Sequence, residues 1–179
     1  RYAWIKARLL PGNVTEKCRE KWLVELEAIR QPFVFRKYLD FGCINAMREL
    51  HQQIRREVAR KDMAANIKLG PGGIREIEFI AQVFQLIRGG RDVQLQIKPT
   101  LQVLALLVER RQLTNEAARE LGAAYNFLRR LEHRLQYLDD AQTHSLPNTP
   151  DDQAIIAQTM GFASYDALQA ELDDHRIAV

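Results

Sequence analysis

Apolar residues recur along most of the chain in steps of three and four, the period of a helix with one buried face. The clearest run is Ala117, Leu121, Ala124, Leu128, Leu131, Leu135 and Leu138, a heptad-like seam suited to antiparallel helix packing. Gly122 interrupts it at some expense in helix stability unless a neighbour packs close. A second stripe, Ile74, Ile77, Ile80, Ala81, Phe84 and Ile87, defines a central helix ended by Gly89-Gly90. Upstream, Phe41, Ile44, Met47, Leu50, Ile54 and Val58 predict a long helix over 33–60. Trp22, Leu26 and Ile29 predict another, capped by Thr15 and stopped before Pro32. Residues 1–9 read as the end of a helix closed by Pro11-Gly12.

The second half is punctuated more sharply. Pro99 stands at a first helical position, and Leu101, Leu104, Leu107 and Val108 supply the apolar face that follows. Thr149-Pro150-Asp151-Asp152 puts cap, proline and dipole-matched acids in order for a helix start. Met160-Gly161-Phe162 breaks that helix, and Ser164 caps a last one carrying Tyr165, Leu168 and Leu172. Only 67–69 offers a short extended stretch. The pattern predicts an all-α, bundle-like fold of six to eight helices, with a glycine-rich loop at 61–73 and a polar loop at 141–150.

Composition narrows the class without naming a chemistry. A chain of 179 residues, 46% hydrophobic and 27% charged, suits a soluble globular protein with one sizeable core. No apolar run reaches the length of a membrane span and no signal peptide is visible, so a cytoplasmic protein without membrane contact is expected. The start at Arg1 without a methionine suggests a piece of a longer chain. Cys18 and Cys43 stand apart from each other and from any histidine at ligand spacing, which fits a reducing compartment and no zinc site. Residues 1–61 hold 14 Lys/Arg against 7 Asp/Glu (+7), and the rest 12 against 16 (−4). A basic half can face phosphates or an acidic partner, but solvated helix faces are the commoner case. No aromatic-interleaved basic run supports nucleic-acid binding.

The candidate chemistry lies in NIKLGPGGIREIEF, residues 66–79. Gly70, Gly72 and Gly73 precede a helix starting at Ile74, whose first amides, with those of Gly72 and Gly73, would point at an anion. Lys68 and Arg75 can add positive charge on either side. Spacing alone favours the plainer alternative, a glycine-rich entry loop with a solvated first turn. The GxxxxGK[ST] pattern is missing and no clear strand precedes the loop, so neither a P-loop nor a Rossmann turn is supported. Arg75, Glu78, Gln82 and Gln85 form a polar row leaving the loop, for which a ligand-facing role is credible. Glu76 and Glu78, two apart, diverge by ~200° and cannot chelate one ion unaided. With no Asp-x-Asp pair, no metal site and no catalytic group is expected in this chain. Lys6 and Arg8 lie on different faces, each able to reach a neighbouring site. His133 is expected to be exposed.

Three segments carry a resemblance: QPFVFRKYLDFG (31–42), NIKLGPGGIREIEFIAQVFQLIRGGR (66–91) and LRRLEHRLQ (128–136), with RYAWIKAR at the start. They resemble the bifunctional glutamine synthetase adenylyltransferase/adenylyl-removing enzymes of bacteria over nearly the whole chain; residues after 145 match nothing as distinctive. Each half of that family joins a polymerase-β-like nucleotidyltransferase domain to a following helical domain. The resemblance therefore implies that residues 1–12 end the nucleotidyltransferase domain or its linker and that 13–179 are the helical domain. The GGIREIEF form with VFQLIRGG after it is similar to the adenylyl-removing half. That implies phosphorolysis of adenylylated glutamine synthetase to give ADP, with Mg2+ and ATP, ADP or phosphate in the full enzyme, and PII as regulator. The family's catalytic aspartates precede RYAWIKAR, so this chain alone is expected to be inactive. Lys6, Arg8, Lys68, Gly70, Gly72, Gly73 and Arg75 are the phosphate- or nucleotide-binding candidates, and Glu76, Glu78 and Gln82 the site-facing polar ones. The other reading is a non-catalytic scaffold that docks glutamine synthetase or PII.

Overall fold

The computed structural model describes residues 1–179 apart from 9, 11, 14, 38–41, 43, 44, 47, 50, 51, 54, 55, 57–62 and 139–142. Among the described residues six bounded α-helices carry the fold: α1 (Glu16–Val34), α2 (Ile74–Arg88), α3 (Thr100–Glu109), α4 (Asn115–Leu138), α5 (Pro150–Met160) and α6 (Tyr165–Ile177). Two 3-10 turns, Tyr2–Trp4 and Val93–Gln96, and a backbone bridge joining Asn66 to Ser145 are also found among the described residues. The all-α expectation holds. The seam expected for the 33–60 helix (Phe41, Ile44, Met47, Leu50, Ile54, Val58) lies outside the described residues.

The heptad-like seam is the spine of the core. Leu121, Ala124, Leu128, Leu131 and Leu135 are buried, and α4 packs them against α2, α3, α5 and α6. Most of the cover therefore comes from the shorter helices α3, α5 and α6 rather than from one long antiparallel partner. Ile74, Ile77 and Ala81 of α2 join the same cluster, while Ile80 and Phe84 are half-buried at its margin. On α3 the inward face is Val103, Leu104 and Leu107; Leu101 turns outward. The end of α2 also serves a second, smaller cluster, in which Leu86 meets Ile5, Val34 and Phe35.

Local signals at the chain's end behave as their chemistry requires. Thr149 accepts from the Asp152 amide at 3.3 Å, Ser164 from Ala167 at 3.2 Å, and Gly161 ends α5 at φ +90°, where a side chain would be strained. Elsewhere the structure corrects the expectation. Residues 2–4 form a 3-10 turn, and 67–69 are turn rather than extended. Helix α1 runs through Pro32 to Val34, because a proline in a last turn removes only one intrahelical bond. Thr15 occupies the cap position without a side-chain bond, and Pro99 is the residue before α3 rather than its first. The stripe expected to be core on α1 faces outward, with Trp22 46% and Ile29 69% exposed; that helix buries Arg30 and Val34 instead. Gly89 closes α2 without a left-handed turn, and a side chain at Gly90 would run into the backbone of Arg36 and Lys37.

Candidate functional site

The glycine loop is wound tightly on itself. The Asn66 side chain accepts from the Lys68 and Leu69 amides at 3.0 and 2.8 Å, an Asx turn that starts the curl. Gly70 N–H then donates to Asn66 O, Gly73 N–H to Gly70 O, Ile74 N–H to Ile67 O at 3.2 Å and Arg75 N–H to Lys68 O at 3.1 Å. Gly72 N–H donates to Glu76 Oε2 at 2.7 Å. The three amides expected to greet an anion are thus all engaged within the loop. The helix N-terminus is satisfied from inside, as the first amides of a buried helix end must be. The glycines have a packing reason as well. Gly72 sits at φ +63° against the backbone of Arg176 in α6, and a side chain on Gly73 would stand 2.8 Å from two loop carbonyls.

Side chains radiate from this loop in three directions. Lys68 points to α4, where its ammonium lies 3.2 Å from Glu132 Oε1. Glu132 is 2% exposed and also bonds Arg129, with His144 Nδ1 3.3 Å away in an orientation too poor for a hydrogen bond. A buried carboxylate is tolerable only with such partners, and these tie the loop, α4 and the 143–146 segment together. Glu76 faces the Gly72 amide beside Arg176. Gln82 is buried, and Gln85 donates to Leu95 O and Ile97 O at 2.6 and 2.7 Å, so Gln85, at the lower end of the polar row, serves the fold.

The third direction leads to the N-terminal turn. Lys6 Nζ lies 3.0 Å from Glu78 Oε1 and 2.8 Å from Thr100 Oγ1, and Tyr125 O–H reaches the same Glu78 oxygen at 3.4 Å. Arg75 is exposed on the first turn of α2 and its charge acts on Tyr2, whose ring tilts against Phe79 at 5.5 Å. Burial pushes the Tyr2 phenol up to about 12; Arg75 pulls it down and Glu78 adds to the rise. Burial likewise raises Tyr125, with a Thr100 hydrogen bond opposing. Both phenols stay protonated donors at neutral pH. Lys6, Arg75 and Glu78 are therefore brought to one face, Lys68 and Glu76 are turned to others, and Arg8 is exposed beyond the turn. Among the described residues no group of three or more His, Cys, Asp or Glu can hold a metal ion, and no helix is long and apolar enough to cross a membrane.

Sequence reasoning passed over Tyr2, Thr100, Tyr125 and Glu132. The one signal for Glu132 was its place inside LRRLEHRLQ, next to the seam residue Leu131. A family model described as GlnD PII-uridylyltransferase matches residues 48–179. The chain belongs to the GlnD PII-uridylyltransferase family. It is also similar, over all 179 residues at 64% identity, to the bifunctional glutamine synthetase adenylyltransferase/adenylyl-removing enzyme of Aromatoleum aromaticum. The proteins of that name from Nitrosomonas europaea and Neisseria meningitidis serogroup B are 57% and 50% identical over 176 residues, 98% of this chain. The chain spans 18–19% of the length of these three relatives. All three include residues of the N-terminal turn that the family model does not reach, so the Lys6–Glu78 face falls within the shared region.

Proposed function

We propose that this chain is the helical portion of a bifunctional glutamine synthetase adenylyltransferase/adenylyl-removing enzyme. It belongs to the half that removes AMP from glutamine synthetase by phosphorolysis to give ADP, in the cytoplasm and under PII control. The observation that carries the reading is the 64% identity over the entire chain to a relative of that name. The GGIREIEF form at 72–79 supports the choice of half. In this reading a nucleotidyltransferase domain precedes residues 13–179 and supplies the carboxylates for Mg2+. Among the described residues no group of three or more such side chains can hold a metal ion, and in this reading the chain turns over only together with that domain. Its contribution is the face of Lys6, Tyr2 and Arg75. With the loop amides engaged, an anion at this face is held by side chains: the Arg75 guanidinium and the protonated Tyr2 hydroxyl. Phosphate, or a phosphate of ATP or ADP, is the ligand that fits these donors.

Arg75→Ala in the full-length enzyme tests this. Loss of one charged hydrogen bond to a bound anion is worth ~1.5–3 kcal/mol, roughly ten- to a hundred-fold in phosphate or ADP use. Because Arg75 is exposed, the melting temperature should not move. Unchanged phosphate and ADP dependence would return the loop to a purely structural role. It would favour the second reading, a scaffold that docks glutamine synthetase or PII, for which the exposed Trp22, Val24 and Ile29 of α1 speak.

A further inference from the structure

The N-terminal turn is held by more than its own packing. Arg30, 2% exposed near the end of α1, donates from Nη1 to Trp4 O at 3.2 Å and to Ile5 O at 3.1 Å. Its other edge is gripped by Glu27, with Nε and Nη2 both bonded to Oε2, at 2.9 and 2.6 Å. Lys98, just before α3, donates to Ala7 O at 2.7 Å and lies 4.0 Å from Glu27 Oε1. Two cations from different parts of the chain thus cap three carbonyls of residues 4–7, and Glu27 lies against both. Lys6 sits inside that capped stretch, and its ammonium is the one that reaches Glu78 and Thr100. Both Arg30 bonds to the turn come from the one Nη1 nitrogen, and the Nε/Nη2 edge of the planar guanidinium, fixed on Glu27, holds that nitrogen in one orientation toward the two carbonyls.

We propose that Arg30 and Lys98 are positioning residues: they set the backbone of residues 4–7 so that Lys6 reaches the Glu78–Thr100 face of the site. The kinetic arm of this inference rests on the proposed phosphorolysis; the structural arm does not. Neither residue touches the face itself. Each acts through Lys6, so their effects must vanish once Lys6 can no longer engage.

The test is a mutant cycle in the full-length enzyme, using Lys98→Met, Lys6→Met and the double variant, with Arg30→Gln and Arg30→Lys alongside. Lys98 is about one-third exposed, so its truncation does not open the core. Faster hydrogen exchange at the Ile5 and Ala7 amides is expected in Lys98→Met at an unchanged melting temperature. Phosphorolysis should fall about tenfold in Lys98→Met and in Lys6→Met, and no further in the double variant. Arg30→Lys should recover part of the exchange protection that Arg30→Gln loses. Additive losses in the cycle, or unchanged exchange in Lys98→Met, overturn the inference. If Lys6→Met leaves phosphorolysis intact, the proposed function of this face fails, and the exchange data alone then decide the positioning role. Accelerated exchange there upholds it and unaltered exchange rejects it.

Discussion

Two glycines show how the same residue type serves opposite ends at the scale of a single Cα. Gly72 is at φ +63° with the Arg176 backbone against it, so an added methyl meets both conformational strain and a wall. Gly122 lies inside α4, where an added Cβ would meet only Leu101 Cδ2 at 3.9 Å, an ordinary contact. Gly72→Ala should therefore destabilise by at least ~1–2 kcal/mol, while Gly122→Ala should stabilise by ~0.5–1 kcal/mol. Reversible urea titration of both variants checks the pair, and a neutral Gly72→Ala would mean that the loop can move off α6. The glycines were legible as a loop before a helix, but their letters do not say where the freed amides go. Here the amides bond loop carbonyls and Glu76, which spacing cannot reveal because the partners come from the loop's own curl. Glu132 was hidden for the converse reason: an acid flanking an apolar seam reads as solvated until Lys68 and Arg129 are seen to cover it.

At the scale of elements, periodicity tells which face of a helix is apolar and not whether anything covers it. On α4 the two coincide, since Leu128 and Leu131 are fully enclosed by four other helices. Leu128→Ala should cost ~2–5 kcal/mol there, with the same change at exposed Leu23 costing little. Chemical denaturation gives both values, and a small loss at Leu128 would show that the surrounding helices collapse into the cavity. On α1 the same reading fails. Trp22 and Ile29 share a stripe but look outward, and the helix is anchored by Arg30 and Val34, an arginine and a valine that no apolar count singles out. The caps of the last two helices were legible because they act within a turn: Thr149, Ser164 and Gly161 need only their immediate neighbours, whereas Thr15 stands before α1 without a side-chain bond. What joins distant segments, such as the Lys6 contact with Glu78 across 72 positions, leaves no local trace.

At the scale of the whole molecule, residues 4–7 are bound to α1 through Arg30 and to the segment before α3 through Lys98, and one half-buried carboxylate, Glu27, lies against both cations. The Arg30 hydrogen bonds hold the Glu27 carboxyl below its ordinary value of 4.5; burial opposes them, and the charges of Arg30 and, least, of Lys98 add to the lowering. A carboxylate with a lowered value in the folded state adds stability that is fully present above the ordinary value. That stability is lost as pH falls through the lowered one. Other acids titrate in the same range, so the test is a difference. Melting temperatures of the parent chain and of Glu27→Gln should be compared from neutral pH downward. The parent should melt higher at pH 7, and its advantage should shrink only below the ordinary carboxylate range. Trp4, edge-on to Phe33 at 6.2 Å, provides a local probe, and its fluorescence should shift in the same acid window for the parent and not for the variant. A constant difference across that window would mean that Glu27 contributes by packing alone. The N-terminal turn would then owe its place to Ile5 and to the carbonyl bonds of Arg30 and Lys98, not to the charge that links those two cations.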